Sequence, residues 1–277
     1  MLIADAQVHI WAADTPERPW PKRHKPHRAL PLGKDELLRE MDAAGVDRVI
    51  LVPPSWEGER NDVTLAAAKT HPQRFAVMGR INPEAPGARE AVAGWKREPG
   101  ALGLRFTFHR PGLAEQLTEG RADWVWDVAE KHAIPVMVLV PHKMMPLIDS
   151  IAERHPKLRL VMDHLGLPSS TAGEDPFRDL DALLALAKRP NIAAKASALP
   201  CFARDAYPYP SLHPYLRRVY DAFGPRRVFW GTDLSRLPCT YRQAVTMFTE
   251  EIPWLTAQDQ EWIMGRGLCE WLGWKLP

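Results

Sequence analysis

Several polar side chains in this chain fall where a run of apolar residues breaks off. Gln7 and His9 lie in Asp5-Ala6-Gln7-Val8-His9-Ile10-Trp11. Arg80 follows Gly79, and Arg105 sits in Gly103-Leu104-Arg105-Phe106. Asp163 and His164 follow Met162, Lys195 lies inside a short apolar run, and Asp233 ends Phe229-Trp230-Gly231-Thr232-Asp233. His142 stands just past Leu139-Val140-Pro141. Imidazoles and carboxylates move protons and polarise carbonyl groups. A guanidinium grips a carboxylate through paired hydrogen bonds. Period-two alternation puts Gln7 and His9 on one face of a strand. One His or Asp at a strand end commonly serves structure alone. Many such ends converging on one mouth define a candidate active site. Lys195 reads as a structural cation that neutralises nearby carboxylates. Asp163 has the alternative of capping the turn after it.

Alternating elements must bring these residues together. Short runs rich in branched residues predict eight strands: Leu2–Val8, Arg48–Val52, Phe75–Ile81, Ala101–Phe106, Pro135–Val140, Leu158–Met162, Ile192–Ala196 and Val228–Trp230. Several are continuously hydrophobic, as strands buried on both faces must be. Helix-period segments lie between them, such as the face Leu37, Leu38 and Met41 that ends at Gly45. This alternation predicts a parallel sheet. Eight strands in 277 residues suit a closed (β/α)8 TIM barrel, here a single domain over residues 1–277. An open doubly wound sheet is the alternative, but no phosphate-binding glycine pattern comes after the first strand. Two long loops interrupt the units, at 12–32 after strand one and at 199–214 after strand seven. Loops of this length in a compact domain are commonly lids or binding loops. The first is basic, with Arg18, Lys22, Arg23, His24, Lys25, His27 and Arg28.

Composition narrows the function. Lys plus Arg number 36 and Asp plus Glu 34, so the net charge is +2. That is no footprint for nucleic acid or a membrane surface. Hydrophobic residues make up 45%, which rules out a disordered chain. Three cysteines without a C-x-x-C offer no disulfide framework or zinc ribbon. With no signal-peptide pattern and no membrane span, they point to a reducing cytoplasm. The 27 Pro residues are scattered at segment ends, where they punctuate a folded chain. Trp254 and Trp271 read as packing residues. The segment Trp262 to Trp274 reads as a closing helix or part of a subunit interface, and the oligomeric state is not legible.

The segments at 5–11, 161–166 and 229–233, in that order and spacing, resemble the amidohydrolase-related barrel hydrolases. The likeness is to the branch holding pyrone-dicarboxylate lactonase and the fuconolactonases. Gly-Leu-Arg-Phe at 103–106 and Asn-Ile-Ala-Ala-Lys at 191–195 echo that branch too. The resemblance implies a TIM barrel that hydrolyses an ester or amide, often a lactone. The family's first strand usually carries His-X-His. His9 matches the second His, while Gln7 stands at the first. Metal-binding members also carry a His at the end of strand five, where this chain is apolar. A catalytic zinc takes three protein ligands plus water, and an amide oxygen is a poor transition-metal ligand beside imidazole. No cofactor is therefore the preferred expectation, with a single zinc or manganese ion as the alternative. Asp233 is expected to activate water, if its surroundings raise its pKa towards neutrality. His9 and His164 are expected to polarise the scissile carbonyl. Arg105, Arg80, Gln7 and His142 are expected to contact the substrate.

Two other functions compete. A decarboxylase of the same superfamily would share the barrel and Asp233 but need a metal. A barrel that binds a ligand without turnover would tolerate Gln7. No G-x-S-x-G is present, which disfavours a serine hydrolase. Cys201 has no assured His partner, so it is a weak nucleophile candidate. Trp11, Trp20 and Trp56 with the basic residues suggest a small acidic substrate, although the same Trp residues suit the packing of loops.

Overall fold

A computed structural model describes residues 1–21, 26–168 and 175–277. Its eight strands are β1 (Ala4–Val8), β2 (Arg48–Leu51), β3 (Phe75–Gly79), β4 (Ala101–Thr107), β5 (Val136–Leu139), β6 (Leu160–Met162), β7 (Ile192–Ser197) and β8 (Val228–Gly231). They lie side by side in sequence order, and every bonded pair from β1–β2 to β7–β8 is parallel. Helices alternate with the strands, from Lys34–Ala44 after β1 to Tyr241–Thr249 after β8. The architecture is the expected (β/α)8 barrel. Most strand residues are buried, because helices cover one face and the barrel interior the other.

Strand ends differ from the expectation where side chains intervene. β3 stops at Gly79, two residues short of Ile81. The Asn61 amide explains the early stop: it donates to the Arg80 carbonyl at 2.8 Å and accepts from the Arg80 N–H at 2.8 Å. Arg80 is thereby removed from the ladder and held at the rim.

The seam between β8 and β1 is closed by a side chain. The strand ladder does not join these two strands. One backbone bond crosses at the top, from the Asp233 N–H to the Gln7 carbonyl at 2.9 Å. Below it the fully buried Asp5 carboxylate takes the place of the ladder. Asp5 Oδ1 accepts from the Thr232 and Gln7 N–H groups, both at 2.9 Å. Asp5 Oδ2 accepts from the Thr232 hydroxyl and from the Tyr241 hydroxyl, the latter at 2.8 Å. Gly231 permits this approach, since a Cβ there would meet the Ala6 Cβ at 3.1 Å and Asp5 Oδ1 at 3.2 Å.

The opposite end of the barrel is plugged by the C-terminal helix. Leu268, Cys269, Leu272 and Trp274 pack with Ala4, Ala6, Ile50 and Phe229. Gly265 lets the helix lie against the first strand, because a Cβ there would come within 2.6 Å of the Leu2 carbonyl. The 262–274 segment thus closes the barrel. Of the long loop at 12–32, Lys22, Arg23, His24 and Lys25 lie outside the described residues. Its start is pinned by Arg18, which pairs with Glu57 at 2.8 Å and Asp62 at 2.6 Å. Trp11 is buried and meets Trp56 edge to face at 5.1 Å. Trp254 packs against Tyr220, and Trp271 against Phe229.

Burial raises the Asp5 carboxyl from its ordinary value to about 6, against the hydrogen bonds from Thr232, Gln7 and Tyr241 that lower it. Asp5→Ala leaves two buried N–H groups without an acceptor, at about 1–3 kcal/mol each. Asp5→Asn keeps an acceptor for both, and its N–H groups can donate to the two hydroxyl oxygens. Urea denaturation should therefore show Asp5→Ala well below Asp5→Asn in stability. Because the folded pKa is the raised one, the stabilisation is complete below the unfolded pKa of about 4, falls as pH rises from there and is lost by about 6. The wild type should gain on Asp5→Asn as the pH is lowered through that window.

Candidate active site

The turns that leave the last three strands carry unusual backbone. His164 (φ 50°), Leu165 (φ 55°), Ala198 (φ 57°) and Asp233 (φ 54°) all adopt left-handed conformations. Each such non-glycine residue costs roughly 1–2 kcal/mol, and strain of this kind gathers where side chains must be aimed. His164 and Asp233 are aimed into a cavity of ≈ 880 Å³ at the C-terminal end of the barrel. Gln7, His9, Arg80 and Arg105 line the same cavity.

At its centre lies one chain of contacts. His9 Nδ1 donates to the Val52 carbonyl at 2.6 Å, so its Nε2 faces Asp233 Oδ1 at 3.2 Å. His164 Nε2 lies 3.9 Å from Asp233 Oδ2, and its Nδ1 meets the Ser197 hydroxyl at 2.8 Å. The Gln7 amide sits between the two rings, its nitrogen 3.5 Å from His9 Nε2 and 3.3 Å from His164 Nε2. The orientation of that amide is fixed by Lys195, whose ammonium donates to Gln7 Oε1 at 2.6 Å.

Lys195 belongs to a buried ion cluster below the cavity. Its ammonium meets Asp163 Oδ1 at 2.5 Å, and Arg105 Nε donates to Asp163 Oδ2 at 2.8 Å. Lys195 and Asp163 are fully buried, and Lys195 has the structural part expected of it. Asp163 does not cap the next turn; its carboxylate is spent on two cations. Burial pushes the Asp163 carboxyl up, but Lys195 and Arg105 outweigh that and hold it below the ordinary range. Arg105 spends only Nε here, and its terminal nitrogens make no hydrogen bond to the described residues. Arg80 is also buried; one terminal nitrogen reaches Glu59 at 3.2 Å, while Nε and the other have no hydrogen-bond partner among the described residues. Lys195, Arg105, Arg80 and Arg236 face the carboxylates of Asp163, Glu59 and Asp233, which leaves this group one positive charge in surplus.

The titrating groups divide sharply. Burial alone would raise Asp233, but His9, His164 and Arg236 hold it well below its ordinary value. Asp233 is therefore ionised, and the expected rise towards neutrality is reversed. Burial lowers His164 to about 3, despite Asp233 and Asp163 nearby, so this imidazole is neutral. His142 is not among the cavity-lining residues; its Nε2 meets the Leu165 carbonyl at 2.9 Å and braces the turn after β6. Cys201 lines a separate cavity with Cys239 and Tyr209. Burial raises its thiol to about 11, which leaves little thiolate for nucleophilic attack.

The cavity also contains residues that sequence alone did not single out for chemistry. His27 comes from the first long loop, with its ring 4.7 Å from Trp56 and its Nδ1 2.9 Å from the Ser235 hydroxyl. Burial lowers it to about 4. Arg236 pairs with Asp233 at 3.4 Å, and Thr107, His109 and Arg110 line the wall. Period-two alternation from Arg105 could have found Thr107; nothing in spacing identifies the loop residues.

Residues 4–266 match the model of the amidohydrolase family, and the chain belongs to that family. It is 29% identical over 246 residues to the L-fucono-1,5-lactonase of Burkholderia ambifaria, covering 84% of this chain and 81% of that one. It is 29% identical over 213 residues to the 4-sulfomuconolactone hydrolase of Hydrogenophaga intermedia, covering 72% of this chain and 64% of that one. The crystal structure of an amidohydrolase from Burkholderia multivorans with bound zinc superposes with a TM-score of 0.82 at 22% identity, each chain covered in full. At that identity the likeness is one of fold.

The family is typically metal-dependent, and Gln7 provides the test of fit. Its oxygen is taken by an ammonium that can only donate, so its N–H groups face the two imidazole nitrogens. A donor in that position competes for the lone pairs a cation would need. Among the described residues no group of three or more His, Cys, Asp or Glu is arranged to hold a metal ion. In this orientation Gln7 does not fit the place of a metal ligand. Also among the described residues, no helix is long and apolar enough to cross a membrane.

Asp163→Asn removes the one anion shared by two buried cations. Loss of one member of a buried ion network costs about 3–5 kcal/mol. Chemical denaturation should show a fall of that order, and a change under about 1 kcal/mol would contradict the role given to Asp163.

Proposed function

We propose that the protein hydrolyses a small acidic lactone without a metal ion. The observation that carries this reading is a carboxylate set between two imidazoles, in a cavity whose far wall holds guanidinium groups short of partners. The named lactonases among its relatives support it. Arg105 and Arg80 bind the acidic group of the substrate; Arg105 presents two terminal nitrogens in the geometry a carboxylate prefers. The lactone carbonyl then lies towards His9, His164 and Gln7.

Water adds to the carbonyl carbon and passes its proton to Asp233. The carbonyl oxygen becomes an oxyanion, stabilised by the His9 Nε2–H and the Gln7 amide. His164 keeps its single proton on Nδ1, towards the Ser197 hydroxyl, and accepts from the Gln7 N–H at Nε2, so it aims that amide. A strongly acidic Asp233 is a poor base at rest. As negative charge moves to the oxyanion, His9 turns its hydrogen bond there, and Asp233 becomes basic enough to keep the proton. Collapse of the intermediate breaks the bond to the ring oxygen, which takes the proton from Asp233. The product is the open hydroxy acid. Three free cysteines suit a reducing cytoplasm.

Asp233→Asn should lower kcat by about 10²–10⁴-fold with an unchanged circular dichroism spectrum. Arg105→Ala should act mainly through KM for acidic lactones. Hydrolysis should survive prolonged chelation, with well under one equivalent of zinc or manganese in the purified protein. Activity lost to a chelator and restored by metal would refute the metal-free mechanism. Both Asp233 and His164 titrate below the neutral range, so neither contributes an acidic limb to kcat/KM between about pH 5 and 8. A limb in that interval abolished by His164→Gln would contradict the neutral ring.

A further inference from the structure

A lobe of ≈ 180 Å³ opens beside His164. It shares His109, Leu139, His164 and Arg236 with the main cavity, so the two adjoin. Beyond that shared boundary its wall is Val140, Pro141, Leu167, Pro168 and Phe202. None of these side chains can donate or accept a hydrogen bond. The wall comes from the end of β5, the turn after β6 and the turn after β7, and Val140, Leu167 and Phe202 are buried. An apolar cavity of about 150 Å³ stays dry and holds benzene. A lobe of ≈ 180 Å³ therefore has room for one six-membered ring or a short branched alkyl group. A hydroxyl placed against these five side chains would lose its water and gain no side-chain hydrogen bond from them.

We propose that this lobe is a specificity subsite for an apolar substituent, so that the substrate joins an acidic group and a hydrocarbon arm on either side of the scissile ester. The proposal rests on the lactone-hydrolase reading for the ester, but the subsite can be read through binding alone. It separates this protein from one built for a polyhydroxylated sugar lactone, whose hydroxyls would lie against the Leu167 and Phe202 side chains.

Calorimetric titration with phenylacetate, 3-phenylpropionate and 4-phenylbutyrate, against gluconate, tests it. The tightest of the phenyl acids should bind at least tenfold more tightly than gluconate. Leu167→Phe narrows the lobe and should bring that ratio to within about threefold of unity. Phe202→Ala widens it and should move the optimum to a longer or bulkier acid such as naphthylacetate. Gluconate binding as tightly as the phenyl acids, no measurable binding of the phenyl acids, or a preference unmoved by both variants would each overturn the subsite. Hydrolysis of acidic lactones is assayed separately. A phenyl preference without turnover would sink the hydrolase reading and leave the subsite standing, and turnover without the preference would do the reverse.

Discussion

The Asp163 carboxylate is the interaction on which the site depends. It lies at the base of the cavity, fully buried, and holds an ammonium on one oxygen and a guanidinium on the other. Without it neither Lys195 nor Arg105 has a neutralising charge, and two uncompensated cations do not persist in a dry interior. With it, Lys195 fixes the Gln7 oxygen, the amide nitrogen is turned towards His9 and His164, and Arg105 projects its free terminal nitrogens upward. Three features of the cavity (donor direction, imidazole tautomer and anion affinity) thus stem from one carboxylate.

Asp5 imposes a second constraint on the same residues. It bonds to the Gln7 N–H and to the Thr232 N–H, in the segments that lead to His9 and Asp233 on the two strands at the seam. A backbone ladder tolerates slippage by a whole repeat, but a carboxylate accepting four hydrogen bonds fits only one register. The spacing between His9 and Asp233 is therefore set by the closure of the barrel. The left-handed residues after β6, β7 and β8 spend some of the stability that this closure supplies.

The barrel was legible in the sequence because each strand is buried on both faces, and branched apolar runs have few other uses. Gln7, His9, Arg80, Arg105, His164 and Asp233 were legible for a related reason: a polar residue ending such a run has to face the barrel mouth. The hidden features involve distance along the chain. Asp5 meets Thr232 and Tyr241 at separations of 227 and 236 residues, and no local pattern joins them. His27 and Arg236 come from loops whose course is set by tertiary contacts, such as Arg18 with Glu57. His142 was misplaced because a residue one step past a strand can turn to either side. Asp233 was expected to be a weak acid from burial alone. Two neighbouring imidazoles and Arg236 decide the opposite.

The guanidinium groups of Arg80 and Arg105, each with nitrogens left over beside its one carboxylate, also govern the fate of the product. Opening a lactone turns an uncharged ester into a carboxylate, so an acidic substrate leaves the reaction one negative charge richer than it arrived. A cavity with surplus positive charge at Arg80 and Arg105 holds that more anionic molecule more firmly than its precursor. Departure of the product then has to work against that attraction. Dissolved salt, which weakens attraction between charges that solvent can reach, eases the approach and departure of anions at the cavity mouth more than it loosens their hold on the buried guanidinium groups.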